Sequence, residues 1–148
     1  MRLKNRIPPP LVFLVTGLAM FSCAPRIAPL PGAVVLIPLL VLVALLHAVP
    51  AFFQFRGAAT TVSPLRPAEA SSLVTSGPYR WTRNPMYLGL TCLLLAWAAY
   101  LGSLRVFLGP LFFVAYITYF QILPEEQALR QLFGQEYEQY RLRVPRWL

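Results

Sequence analysis

The chain is poor in charge and in the side chains of metal and disulfide chemistry. Only 12% of its 148 residues are charged, with five acids against thirteen basic residues, one histidine and two cysteines. Cys23 and Cys92 each lie inside an apolar run without metal-ligand spacing, so no disulfide framework or zinc module is expected and both read as reduced packing residues. No G-x-G-x-x-G is present, which leaves a soluble dinucleotide-binding sheet without its phosphate turn. There is no internal repeat and no low-complexity tract. The net charge of +8 does not mark a nucleic-acid binder, which would need a soluble basic face with aromatic platforms.

What the chain has is apolar sequence, 57% of all residues. Four stretches approach the roughly 20 apolar residues that a membrane helix needs: Leu11 to Ala24, Ala33 to Phe55, Met86 to Leu101 and Leu104 to Leu123. The first is short and is expected to run past Pro25 and Arg26 toward Leu30. Gly102 and Ser103 alone separate the last two, which therefore read as a tight helical hairpin. The expectation is an all-α integral membrane protein of about four transmembrane helices with a cytoplasmic amphipathic tail. A signal peptide is the alternative for the first stretch, since Arg2, Lys4 and Arg6 precede it and Ser22-Cys23 faintly resembles a lipoprotein cleavage site. Phe21 fits such a site poorly, and a span is preferred.

The basic residues orient these spans. Arg2, Lys4 and Arg6 precede the first; Arg56, Arg66, Arg80 and Arg83 lie between the second and third; Arg130, Arg141, Arg143 and Arg146 follow the fourth. Only Arg26 and Arg105 fall on the other side, so both termini and the long middle loop are expected in the cytoplasm. All five acids, Glu69, Glu125, Glu126, Glu136 and Glu138, share that side, and anionic headgroups would favour the same basic face. One membrane domain results: a helical pair over 1–56, a cytoplasmic loop over 57–84, a hairpin over 85–123 and a tail over 124–148.

The loop carries Gly57, Pro64, Pro67, Gly77 and Pro78 and cannot be one helix. Irregular backbone is expected, with a strand-like or turn section at Leu73 to Thr75. In the tail, Pro124 suits the first position of a new helix and Glu125 and Glu126 its first turn. Leu129, Leu132 and Phe133 recur at helical spacing until Gly134 interrupts. A second amphipathic piece follows, with Tyr137, Tyr140 and Val144 on one stripe, ended by Pro145.

The hairpin brings the stretch GPYRWTRNPMYLG, Gly77 to Gly89, to the same membrane face as the tail. Asn84 before Pro85 suits a helix N-cap, leaving free N–H groups and the positive dipole end for a carboxylate or phosphate. Arg80 and Arg83 can add bidentate anion contacts. Gly77 and Gly89 allow close backbone approach, and Tyr79, Trp81 and Tyr87 can sandwich a planar ring or a cation. Glu125 and Glu126 can neutralise an ammonium or sulfonium, although adjacent helical residues diverge and one of the two should face the site squarely. Each feature alone also has an ordinary use as interfacial anchor or helix cap.

The stretch LVTSGPYRWTRNPMYLG, followed after the hairpin by EEQALRQLFGQEYEQYRLRVPRW, resembles the isoprenylcysteine carboxyl methyltransferase and phospholipid methyltransferase superfamily of membrane enzymes. The pattern is close to G-x-Y-x-x-x-R-H-P-x-Y-x-G, then E-E-x-x-L-x-x-x-F-G-x-E-Y-x-x-Y, and the match covers about half the chain. The resemblance implies S-adenosylmethionine as cofactor, a lipophilic methyl acceptor reached from the bilayer, and no nucleic acid or metal. The acceptor class stays open between an isoprenoid or lipid carboxylate, a phospholipid amine and a small thiol, and the oligomeric state stays open too. The residues implied at the cofactor are Val74, Gly77, Tyr79, Arg80, Asn84, Pro85, Tyr87, Gly89, Glu125, Glu126, Tyr137 and Tyr140, with Arg83 and Glu126 as the catalytic pair. Asn84 stands where the pattern has histidine; it can hydrogen-bond but cannot act as a general base. Arg83 would orient a carboxylate or thiolate acceptor, and Glu126 would take the proton of an amine.

His47, within the second span, reads as a hydrogen-bonded helix-packing residue. Pro38, Pro50 and Pro110 read as kinks that shape a cavity, and Arg105 as an outer-face anchor. Two other classes remain beside methyl transfer: a membrane reductase of sterol or enone type, which would bind a nicotinamide cofactor, and a non-catalytic lipid-binding protein, which would bind neither cofactor.

Overall fold

The computed structural model describes residues 7–25, 28–57 and 72–148, with the side chains of residues 55–57 left aside. The basic residues Arg2, Lys4, Arg6, Arg26 and Arg66, the side chain of Arg56, and Glu69 lie outside what is described. Among the described residues the chain is all-helical, with no strand. Residues Leu73 to Thr75, expected as strand-like or turn, are irregular coil.

Helix α1 runs Pro9–Cys23 with proline at its start, where the missing N–H has no partner to lose. It stops at Ala24, whose backbone is extended ahead of Pro25, so the helix does not reach toward Leu30 as expected. Cys23 is exposed at that end rather than packed, whereas Cys92 is buried. Helix α2, Ala33–Gly57, runs through Pro38 and Pro50 as one helix. Helix α3, Pro85–Leu101, packs along it so closely that a Cβ on Gly89 would lie 2.9 Å from the Ala48 methyl and 3.1 Å from the Ala44 carbonyl.

Gly102 ends α3 with φ +68°, its N–H bonding the Ala98 carbonyl at 2.9 Å, a left-handed cap that glycine adopts without strain. A single 3₁₀ turn, Leu104–Phe107, then leads into α4, Leu108–Ile117. The hairpin is as tight as the sequence predicts. Pro110 falls in the first turn of α4, where a proline bends nothing.

The expected new helix at Pro124 is not a separate element. A π turn, Thr118–Ile122, joins α4 to α5, Leu123–Arg143, without a break. Proline has no N–H for the carbonyl four residues back, and the wider turn just before Pro124 lets it sit in the rod without that partner. The break comes at Gly134 instead, with φ +48° and ψ −118°. Nothing lies within 4 Å of a Cβ placed there, so glycine is required by conformation rather than by space.

α1 closes the bundle against α3 and the rod. The Trp97 indole donates to the Gly17 carbonyl at 3.1 Å, Phe13 meets Phe113 edge-on at 6.4 Å, and the buried Gln121 amide donates to the Ile7 carbonyl at 2.7 Å. Val12, Leu94, Leu101, Phe113 and Ile117 fill the core between them. The outer faces stay apolar. Leu14, Val15 and Leu18 on α1, Val34, Leu45, Leu46 and Phe53 on α2, and Leu108, Leu111 and Phe112 on α4 are all exposed, far more than a soluble surface tolerates. Among the described residues two helices are long and apolar enough to cross a membrane, Ala33–Gln54 and the rod from Leu104; α1 and α3, with 15 and 17 residues, fall short of that length.

Candidate active site

The loop before α3 is built around Gly77. Its φ of +56° favours glycine, and any Cβ would run into the side chain of Gln54 on α2. The following 3₁₀ turn, Gly77–Arg80, turns Tyr79 inward into a cluster with Ala51, Tyr137, Tyr140 and Val144, with Val74 packed at its margin. The Tyr140 hydroxyl donates to the Tyr79 carbonyl at 2.7 Å, tying this turn to α5. Burial pushes the Tyr79 hydroxyl well above its ordinary pKa, with Tyr140 and Glu125 adding to the effect.

The next three residues grip the end of the chain. Thr82 is fully buried and donates its hydroxyl to the Arg146 carbonyl at 3.2 Å, which also accepts the Asn84 side-chain amide at 2.9 Å. The Arg83 N–H bonds the Pro145 carbonyl at 3.0 Å, and the Thr82 hydroxyl oxygen accepts the Asn84 N–H at 3.2 Å. The Trp147 indole donates to the Thr118 hydroxyl at 3.2 Å and seats the tail on the π turn. Segment 144–148 is thereby folded back onto the start of α3.

This clasp assembles a buried charge centre. Arg146 grips Glu126 with both ends of its guanidinium, Nε to Oε1 at 2.9 Å and Nη2 to Oε2 at 2.8 Å. Arg83 Nη1 reaches the same Oε1 at 3.0 Å and donates to the Tyr137 hydroxyl at 3.0 Å. The side chains of Arg83 and Glu126 are only 10% and 7% exposed, so water does little to screen them. Hydrogen bonding to Glu126 holds the Arg146 pKa above its ordinary value, against the opposing effect of burial. Two guanidiniums share one carboxylate, leaving one positive charge over, and Arg83 Nε is buried with no hydrogen-bond partner among the described residues. Beside it, Glu125 accepts the Tyr87 hydroxyl at 2.7 Å.

A family model described as phospholipid methyltransferase matches residues 33–136, well over half of the chain. The chain belongs to this family. It lies within the isoprenylcysteine and phospholipid methyltransferase superfamily that the motif resembles, and membership indicates a methyltransferase. An uncharacterized protein of Haemophilus influenzae is 46% identical over 63 residues, which is 43% of this chain and all of that protein. No solved structure matches. The family match stops at residue 136, so Tyr137, Tyr140 and Arg146, all of them in contact with this centre or its aromatic margin, lie beyond it.

Of the residues expected at the cofactor of such an enzyme, the fold gathers Arg83, Glu126 and Tyr137 around one charge centre, Tyr79, Tyr140 and Val74 into the adjoining cluster, and Tyr87 with Glu125 into a third contact. The two glutamates do diverge, but each finds its own partner. Other expectations are corrected. Asn84 stands at the N-cap position, yet its side chain caps nothing because its amide is drawn to the Arg146 carbonyl. The close approach that Gly89 allows is to α2, and Pro85 is buried at the start of α3. Gly77 makes room for Gln54. Arg80 and Trp81 turn to the exposed side, apart from the two buried tyrosines, so no three-ring sandwich forms. His47 is hydrogen-bonded as expected, its Nδ1 lying 2.9 Å from the Val43 carbonyl of its own helix. Sequence reasoning missed Thr82 and Arg146. An arginine between Pro145 and Trp147 at the end of an amphipathic tail was the available signal, hidden because the charge count placed Arg146 among the topology residues.

Proposed function

We propose that the protein is an S-adenosylmethionine-dependent methyltransferase working at one face of a bilayer crossed by its apolar helices, on a lipophilic acceptor. The observation that carries this reading is the Arg83–Glu126–Arg146 centre, in which Arg83 and Glu126 are buried and Arg146 is 35% exposed, with one positive charge over and an Arg83 Nε that has no partner among the described residues. The donor set fits the cofactor: Arg83 and Arg146 suit its carboxylate, and Glu125, with one oxygen bonded to Tyr87, has its other oxygen for the ammonium. When bound, that cofactor supplies an electrophilic methyl group. Tyr137 fixes the Arg83 guanidinium, and the clasp of Thr82 and Asn84 on the tail fixes Arg146.

Glu126 is a positioning residue in this reading, because arginine N–H groups occupy both of its oxygens. A carboxylate or thiolate acceptor needs no base, and an amine acceptor would need one other than Glu126. The distribution of basic residues supports a cytoplasmic placement of this face and of both termini.

Calorimetric titration of S-adenosylmethionine and of its demethylated product into detergent-purified protein tests the reading. Micromolar binding is expected, lost in Arg83→Ala and Glu126→Gln with helicity retained by circular dichroism. A folded wild type that binds a nicotinamide cofactor instead would make the protein a reductase, and one that binds neither would make it a non-catalytic membrane protein.

A further inference from the structure

Beyond Gly134 the chain forms a layer one helix thick over the charge centre. Of residues 135–148 only Tyr137, Tyr140 and Val144 are buried, and the opposite face, with Gln139, Leu142 and Arg143, is exposed. Beneath the layer lie Arg83 and Glu126, 10% and 7% exposed. The Tyr137 hydroxyl covers Arg83 from one side, and Pro145 and Arg146 close over the pair from the other. A polar ligand that reaches these two side chains from water has to displace the layer.

The layer joins the rod at Gly134, and that joint is free to turn. Its φ of +48° with ψ −118° lies outside every region open to a residue with a Cβ, and nothing within 4 Å of a Cβ position there packs the joint in place. Across it Arg130 Nε meets Glu138 at 3.1 Å, but the two side chains are 44% and 40% exposed and such a pair holds weakly. The other end is held instead by a row of hydrogen bonds: Thr82, Arg83 and Asn84 donate to the Pro145 and Arg146 carbonyls, and the Trp147 indole donates to Thr118. A loose joint at one end and separable bonds at the other are the parts of a hinged cover. We propose that residues 135–148 are a lid that turns about Gly134 and is latched at 144–148.

The motion carries charge. Glu126 on the rod and Arg83 at the start of α3 belong to the fixed side, whereas Arg146 travels with the lid. With the lid open, one guanidinium faces one carboxylate and the pair is neutral. Closing adds the Arg146 guanidinium, so one positive charge is gained where water screens little. An anionic group bound there favours the closed lid, and by linkage the closed lid binds it more tightly. The lid goes beyond the methyltransferase reading and rests on it only for the ligand in the last arm of the test.

Pulsed electron paramagnetic resonance distances on the detergent-purified full chain test this. One nitroxide sits on native Cys23, exposed at the end of α1, while the buried Cys92 stays unlabelled. The second is placed in turn by Gln139→Cys on the lid, Leu148→Cys at the latch and Gln131→Cys ahead of the hinge, all exposed positions. Trp147→Phe removes the indole bond to Thr118 and is expected to raise the open share about fivefold, the size of one neutral hydrogen bond. Gly134→Ala, which cannot keep the bend without strain, is expected to make the open separation dominant. In both variants the labels at 139 and 148 should move together while the label at 131 stays. Separations at 139 that neither variant changes, movement at 148 without 139, or equal movement at 131 would each overturn the lid. Should Gly134→Ala fail to fold, the Trp147→Phe comparison decides. The demethylated product of S-adenosylmethionine, at saturation, is expected to shrink the open share of Trp147→Phe severalfold. Binding with unchanged separations would overturn closure over the ligand, whereas no binding by a folded chain would remove the methyltransferase reading and leave the lid to be decided by the two variants.

Discussion

The two ends of the hairpin are held by different physics. At the Gly102 end backbone geometry does the holding: a left-handed glycine cap, and a Leu30 N–H donated to the Ala99 carbonyl at 3.0 Å. The one charged residue of that turn, Arg105, is exposed. At the Arg83 end charged and polar side chains converge, and the backbone serves to bring the tail to them. The comparison teaches that register and chemistry are set at opposite ends. The turn fixes how far α4 and α5 run back along α3, so that Tyr87 meets Glu125 and Arg83 meets Glu126. The clasp then converts that register into a charge centre.

The strongest way to break the polar end is Glu126→Ala. It leaves two buried or half-buried guanidiniums facing each other with no counter-charge, and breaking a buried pair in this way costs about 3–5 kcal/mol. A large drop in thermal midpoint, measured in detergent, is expected, whereas Glu126→Gln keeps the shape and some of the hydrogen bonds and should lose less. Equal losses for the two variants would mean that volume, and not charge, matters there.

Gly102→Ala probes the other end. The left-handed backbone costs a Cβ-bearing residue about 1–2 kcal/mol, and the new methyl would collide with the Ala28 carbonyl, so the total is expected above that range. Affinity of the remaining folded molecules for S-adenosylmethionine should be unchanged. A parallel loss of affinity would show that the ends are coupled and that the turn does more than set register.

The same contrast explains what the sequence revealed. Gly102 after a run of apolar residues and Gly134 within an amphipathic one are local patterns, and local patterns are legible; that Arg83 and Glu126 share one site came from the hairpin and the two-part motif. The continuation of the rod through Pro124 was not, because a preceding π turn absorbs the proline and no residue in Thr118–Ile122 announces it. Nor was the grip of Arg146 on Glu126, which exists only once Thr82, Arg83 and Asn84 have captured the tail from more than 60 residues away. Asn84 shows the competition directly. Sequence assigns its side chain to the helix that it begins, and the fold gives it to a carbonyl at the other end of the chain.

The smallest expected effect therefore lies at Asn84, and it sharpens the comparison most. Asn84→Ala removes one neutral hydrogen bond, worth about 1 kcal/mol, and the Arg146 carbonyl keeps its second donor, Thr82. The thermal midpoint should fall only slightly, while cofactor affinity falls severalfold because Arg146 is less firmly placed. Asn84→His restores a donor and returns the residue that the superfamily pattern carries at this position. If affinity recovers with turnover in proportion, position 84 acts on the reaction through the tail alone. Turnover that rises beyond the recovery in affinity would show that a titratable group there joins the proton transfer, a role asparagine cannot fill.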